Sequence, residues 1–211
     1  MATLIVVDVQ NDFLPGGALA VPRGDEVVAV ANAVMDRFDR VVATQDWHPR
    51  EHGSFAVNQP GHAPGEVIAL AGVPQVLWPV HCVADTPGAQ FAPGLAVERF
   101  TRVFVKGTDP AVDSYSGFFD NDRRRATGLG AYLRGLGETD VWVLGLATDY
   151  CVKATALDAL GLGLRTRLIA DGCRAVELTP GDGARAIAAL QAAGVEVVTS
   201  AEVLAALPAG R

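Results

Sequence analysis

The sequence predicts an α/β fold: a six-stranded parallel sheet with helices on both faces, in one domain spanning residues 1–211. Two observations carry this. About six short apolar, β-branched runs recur along the chain, and segments with helical spacing alternate with them, the pattern of a parallel sheet built from βαβ units. A third observation fits the same frame. Reactive side chains sit repeatedly where these runs end, and an open parallel sheet binds its ligands outside the carboxyl ends of its strands.

The first strand is Leu4-Ile5-Val6-Val7, stopped by Asp8. Gln10 to Gly17 is turn-rich, with Pro15-Gly16-Gly17. Val27, Val28, Val30, Ala31, Val34, Met35 and Phe38 then recur at helical spacing, with Asp25 placed as N-cap. Arg40 to Thr44 is the second strand, followed by Gln45-Asp46-Trp47-His48. From Pro49 to Gln75 the chain is rich in Pro, Gly and polar residues and reads as a functional loop or lid. A short apolar run, Val76-Leu77-Trp78, precedes Pro79 and His81. Arg102 to Val105 is a strand ending at Lys106, and an irregular segment with Tyr115, Phe118 and Phe119 follows. A helix is expected over Arg124 to Gly135, weakened by Gly128 and Gly130. Asp140 to Leu146 is a strand, after which Thr148 or Asp149 is placed to cap a helix running through Cys151 to Leu160. Leu164 to Ala170 (strand), Thr179 to Ala193 (helix), Val195 to Thr199 (strand) and Ala201 to Leu207 (helix) complete the chain. No linker, composition break or repeat divides it.

Composition narrows the function. Lys and Arg number 17 against 24 Asp and Glu, a net charge of −7, which argues against nucleic-acid or anionic-membrane partners. Hydrophobic residues make up 50% of a chain long enough to bury roughly 70% of its unfolded surface, so no disulfide or metal is needed merely to hold a core. No apolar run approaches the ~20 residues of a membrane span, and the apolar start lacks the basic lead of a signal peptide. Three well-separated cysteines, Cys82, Cys151 and Cys173, read as free thiols of a cytoplasmic protein. All four histidines (48, 52, 62 and 81) fall within one stretch.

Cys151 lies in the first turn of an expected helix. There the helix dipole and unpaired N–H groups favour a thiolate and can hold an oxyanion. A buried core cysteine is the competing reading; Cys82 and Cys173 lack this context and read as structural. Asp8 and Lys106 form either a carboxylate base with its neighbouring ammonium or an ordinary ion pair. Asp46 and His48, two apart on an extended segment, point to one side. With His81 as the best third donor they form a mixed O/N site for a divalent ion, against the alternative of a His-rich polar loop. His52 and His62 lie in a looser loop and stay open as further ligands. Phe13, Trp47, Tyr115, Phe118 and Phe119 line either an aromatic pocket or the core. Arg123-Arg124-Arg125 reads as a solvated helix start.

Taken together, Asp8-Val9-Gln10-Asn11-Asp12-Phe13, Gln45-Asp46-Trp47-His48-Pro49, Trp78-Pro79-Val80-His81-Cys82-Val83, Lys106-Gly107-Thr108, Asp113-Ser114-Tyr115-Ser116 and Gly145-Leu146-Ala147-Thr148-Asp149-Tyr150-Cys151-Val152 resemble the nicotinamidases of the isochorismatase-like cysteine hydrolases. The resemblance spans residues 3 to about 200, with the motifs in the family's order. It implies a triad of Asp8, Lys106 and Cys151, an oxyanion hole from the backbone N–H groups of Ala147 and Cys151 with a cis peptide before Ala147, and Phe13 and Trp47 flanking the substrate ring, with Tyr115 as a further substrate contact. It implies one divalent metal ion on Asp46, His48 and His81, zinc foremost with iron or manganese as alternatives, and His52 outside the ligand shell. The implied reaction hydrolyses nicotinamide to nicotinate and ammonia through a cysteine thioester in NAD salvage, with pyrazinamide as a second substrate. The implied partner is this small molecule; a homo-oligomer is compatible. Two rivals remain: another amidase or hydrolase of the superfamily, and a silent relative that binds metal or ligand.

Overall fold

The computed structural model describes residues 2–208. Six strands, β1 (Ala2–Val7), β2 (Arg40–Asp46), β5 (Phe100–Lys106), β6 (Asp140–Leu146), β7 (Arg165–Arg174) and β8 (Glu196–Val198), form one sheet in the order β5-β2-β1-β6-β7-β8. Every pairing in it is parallel. The remaining strands, β3 (Val67–Leu70) and β4 (Val73–Val76), make a separate antiparallel hairpin. The helices are α1 (Glu26–Met35), α2 (Leu129–Gly135), α3 (Lys153–Gly161), α4 (Asp182–Ala193) and α5 (Ser200–Ala206).

The centre of the sheet explains the position of the site. β1 is apolar along its length because both faces are covered; Leu4, Ile5, Val6 and Val7 are wholly buried. The chain moves from β1 outward to β2 and β5, then returns to β1's other edge as β6 and continues to β7 and β8. Right-handed crossovers in opposite directions put helices on both faces, and a crevice opens where the direction reverses, between β1 and β6. Register aligns the strand ends there: Val7 lies beside Thr44 and Gly145, and Asp46 beside Lys106.

Several local expectations change. The segment read as a loop from Pro49 to Gln75 contains β3 and the start of β4, joined by Ala71 and Gly72, both with positive φ (50° and 82°), the backbone sense of a tight hairpin turn. α2 begins at Leu129, not Arg124, because Gly128 adopts a left-handed conformation (φ 97°) that interrupts the helix. Arg123, Arg124 and Arg125 therefore precede the helix and pair with Asp158, Asp122 and Asp109. Asp25 occupies the N-cap position of α1 without a side-chain cap bond. α4 starts at Asp182, its carboxylate accepting the Thr179 N–H at 2.8 Å. α5 carries a reciprocal capping box between Thr199 and Glu202. Among the described residues, no helix is long and apolar enough to cross a membrane.

Candidate active site

Asp8, Lys106 and Cys151 meet at the crevice. Asp8 leaves β1 with φ 48° and is wholly buried. Thr44 donates its hydroxyl to Asp8 Oδ1 at 2.6 Å. Lys106 Nζ lies 2.9 Å from Asp8 Oδ2 and 2.5 Å from Asp46 Oδ1, donates to the Ser114 carbonyl at 2.8 Å, and stands 3.4 Å from Cys151 Sγ. Its contact with Asp46 follows from register, since the two are neighbours across β2 and β5. Asp8 Oδ2 is buried without an aligned donor among the described residues. Asp8, Asp46 and Cys151 each bring a side-chain atom within 4.8 Å of the others. One carboxylate oxygen is therefore held by Thr44 and the other faces Lys106, with the thiol close to the carboxylate.

Electrostatics sharpen this picture. Burial lifts the Asp8 carboxyl to about 6, with Lys106 and Thr44 pulling against it. Burial pushes the Cys151 thiol well above its ordinary value, although Lys106 favours the thiolate. Desolvation outweighs the cation here, which favours the neutral thiol and leaves its proton for a base to take, in keeping with a neighbouring carboxylate. Burial also works against the Lys106 charge, but Asp46 and Asp8 overcome it and keep the ammonium protonated.

Cys151 sits in a wide helical turn, Thr148–Val152, that leads into α3. The Leu146–Ala147 peptide bond before it is cis. Thr148 and Asp149 do not cap this helix; Ala147 takes the N-cap position. Asp149 instead uses its carboxylate to accept the N–H groups of Val176 and Glu177, both at 3.0 Å, tying the chain after β7 to the cysteine turn.

Asp46, His48 and His81 form a group whose donor atoms lie within 4.8 Å of one another, all three residues buried. His48 Nδ1 donates to the Gly107 carbonyl and His81 Nδ1 to the Pro79 carbonyl, both at 2.8 Å. Those bonds fix the tautomers and leave both Nε2 lone pairs free, the arrangement that carbonyl partners impose on metal-binding histidines. His48 Nε2 is 3.6 Å from Asp46 Oδ2. At Asp46 burial opposes the charge, but Lys106 and His48 outweigh it and hold the carboxyl below its usual range. Burial, then the neighbouring His48, lowers His81 to about 4, so that ring is neutral. An oxygen and two imidazole nitrogens converging in this way fit a divalent ion of the zinc type. Gly107 is required beside them: its φ is +64°, and a Cβ there would lie 2.3 Å from the His48 ring.

The remaining histidines diverge. His52 is buried with its ring centroid 4.4 Å from that of His48. Its Nδ1 lies 2.7 Å from Ser54 Oγ and 3.3 Å from the Ser54 N–H, and its Nε2 has no hydrogen-bond partner among the described residues. A donor atom of His52 also lies within 4.8 Å of donor atoms of His48 and Asp113. His62 is on the surface, paired with Glu66 at 2.7 Å.

A cavity brings the thiol and the Asp46, His48 and His81 group onto one surface. Its polar lining includes Asp46, His48, His81, Asp113 and Cys151, and Ala147 adjoins the thiol. Phe13, Leu19, Trp78, Tyr115, Tyr150 and Val176 supply the apolar walls. Trp47 is not part of the lining: its neighbours in sequence, Asp46 and His48, face the cavity, and alternation along an extended segment turns Trp47 away to pack on the core. Trp78 stands in the wall instead. Phe118 belongs to the core, 1% exposed. Sequence reasoning also missed Thr44, Gln75, Asp113 and Tyr150. The Asp-x-Gln spacing was the available signal for Gln10, whose side-chain amide bonds both the N–H and carbonyl of Asp46 at 2.8 Å.

A doubly wound sheet with a thiol, carboxylate and ammonium at its switch point, beside a narrow aromatic cavity, is the architecture of a small-molecule hydrolase. The chain belongs to the isochorismatase domain family, whose model matches residues 2–202. It is 51% identical over 203 residues to the nicotinamidase of Escherichia coli K12, covering 94% of this chain and 95% of that protein. Its fold is similar to a solved Acinetobacter nicotinamidase/pyrazinamidase (TM-score 0.93, 43% identity, 96% and 98% of the two chains covered). A pyrazinamidase of Pyrococcus horikoshii solved in complex with zinc is similar at TM-score 0.77 and 38% identity, over 94% of this chain and 98% of that one.

Proposed function

We propose that this chain hydrolyses nicotinamide to nicotinate and ammonia through a thioester on Cys151, as a step of NAD salvage in the cytoplasm, and that it accepts pyrazinamide, which keeps the carboxamide and a ring nitrogen. One observation carries the reading: the Lys106 ammonium contacts Asp8, Asp46 and Cys151 at once, 2.9, 2.5 and 3.4 Å away.

Asp8 takes the Sγ proton of Cys151, and the thiolate attacks the carboxamide carbon. Backbone N–H groups of Ala147 and Cys151 receive the oxyanion. Asp8 then gives its proton to the departing nitrogen, and ammonia leaves a nicotinoyl thioester. A water yields one proton to Asp8 as its oxygen attacks the thioester carbon; the C–S bond breaks, Asp8 returns the proton to Sγ, and nicotinic acid leaves, its remaining proton passing to the ammonia or to solvent to give nicotinate. Lys106 keeps Asp8 ionised at the start of each half-reaction. Phe13 and Trp78 hold the ring in the aromatic slot. Asp46, His48 and His81 would hold one divalent ion, zinc foremost, which when bound supplies a Lewis acid for the pyridine nitrogen.

Ammonia release from nicotinamide by the zinc-loaded protein, beside a Cys151→Ala control, tests the reading. Release by the wild type alone supports it. No release by the wild type contradicts the hydrolase reading, and release by both proteins removes Cys151 as nucleophile.

A further inference from the structure

Gln75 comes from the β3–β4 hairpin, outside every motif that marks the site, yet it is 2% exposed and all its polar atoms are engaged. The two N–H groups of its Nε2 serve three acceptors, one of them shared: Asp113 Oδ2 at 2.8 Å, the Val76 carbonyl at 2.8 Å and Tyr115 Oη at 3.0 Å, and an amide nitrogen can only donate to that phenol. Its Oε1 accepts from Asn121 Nδ2 at 3.2 Å. Asp113 and Tyr115 both line the cavity.

The partners of Tyr115 Oη give this contact a direction. Trp78 Nε1 donates to the same oxygen at 3.3 Å. A phenolic oxygen that accepts two N–H groups keeps its own proton for a third party. No acceptor for that proton is found among the described residues. The ring is fixed as well: Tyr150 packs on edge against Trp78 (centroids 4.8 Å apart) and against Tyr115 (5.4 Å).

We propose that Gln75 is a positioning residue for substrate binding: with Trp78 it occupies the acceptor side of Tyr115 Oη, so that Tyr115 presents its hydroxyl as a donor to an aromatic carboxamide in the cavity. This rests on the hydrolase reading above and adds a specificity element from the hairpin. The contribution is to binding in ground and transition states alike, so its loss raises KM more than it lowers kcat.

The test is a double-mutant cycle of Gln75→Met and Tyr115→Phe on the zinc-loaded protein, with KM and kcat for nicotinamide and, separately, calorimetric Kd for nicotinate. Each single variant is expected to raise KM about tenfold, the loss of one buried hydrogen bond, with a smaller change in kcat. The double variant is expected to be no worse than either single. Unchanged KM in Gln75→Met, an effect confined to kcat, or energies that simply add would overturn the proposal. Should Gln75→Met fail to fold, Gln75→Glu, of the same size but without the donors, is expected to give the same KM rise. Failure of both to fold would assign Gln75 to folding and also overturn it. A wild type that releases no ammonia defeats the hydrolase reading instead, and nicotinate Kd across the same variants then decides the positioning role.

Discussion

Lys106 holds its ammonium 2.9 Å from Asp8 Oδ2, with both side chains wholly inaccessible to solvent. The same nitrogen also touches Asp46, so one buried cation balances two buried carboxylates. Removing one partner of such a group leaves uncompensated charge in a low dielectric. Lys106→Met is expected to abolish turnover and to lower stability by about 3–5 kcal/mol in urea unfolding. Unaltered stability would mean that the two carboxylates are neutralised by other means.

Asp8 makes activity fall in acid. Only its ionised form accepts the Cys151 proton, and its carboxyl is held at about 6. Below that pH, kcat/KM should drop about tenfold per unit. Stability runs the other way for this group. Its folded value lies above the ordinary 3.8, so its favourable contribution is full below 3.8 and is lost as pH rises through about 6. Thr44→Val removes a hydrogen bond to the ionised carboxyl and should move the acid limb to higher pH. A limb unmoved in that variant would detach it from Asp8.

Gly107→Ala tests the metal set without substituting a ligand. The added Cβ would meet the His48 ring at 2.3 Å, on a backbone with φ +64°. Zinc affinity, read by competition with a chelator, should weaken by about 10–100-fold, the usual effect of disturbing a ligand's orienting partner. Equal affinity would show that His48 is not held by this contact.

The hairpin turn offers a gain. Ala71 adopts φ 50°, which costs an L-residue with a Cβ but not glycine. Ala71→Gly should stabilise by about 0.5–1 kcal/mol, measured by thermal unfolding. A loss would mean that the entropy of the unfolded chain dominates there.

Much of this arrangement was legible in the chain. β1, β2 and β6 announce themselves as apolar β-branched runs because both their faces are covered, and Asp8, Lys106 and Cys151 stand out because they follow strands. The β3–β4 hairpin escaped because it lies over the surface: Val67 is 64% exposed, so burial imposes no apolar run on it. Trp47 was expected at the ring because an aromatic beside a ligand pair looks like a neighbour in space, whereas strand alternation turns it away, and Trp78, given no role from sequence, lines the cavity. The place of Cys151 at the start of a helix is visible in sequence, but the depth of burial that raises its thiol is not. Gln75 carries no motif, and only the fold brings it to Tyr115.

The account turns on a covalent nicotinoyl–Cys151 thioester. The most direct measurement is mass spectrometry of acid-quenched, zinc-loaded protein during turnover of nicotinamide, with the labelled peptide sequenced. The account predicts a nicotinoyl mass on the peptide holding Cys151, discharged by hydroxylamine and absent from Cys151→Ala. Sustained ammonia release by Cys151→Ala, or a nicotinoyl group mapped to a different residue, would contradict it.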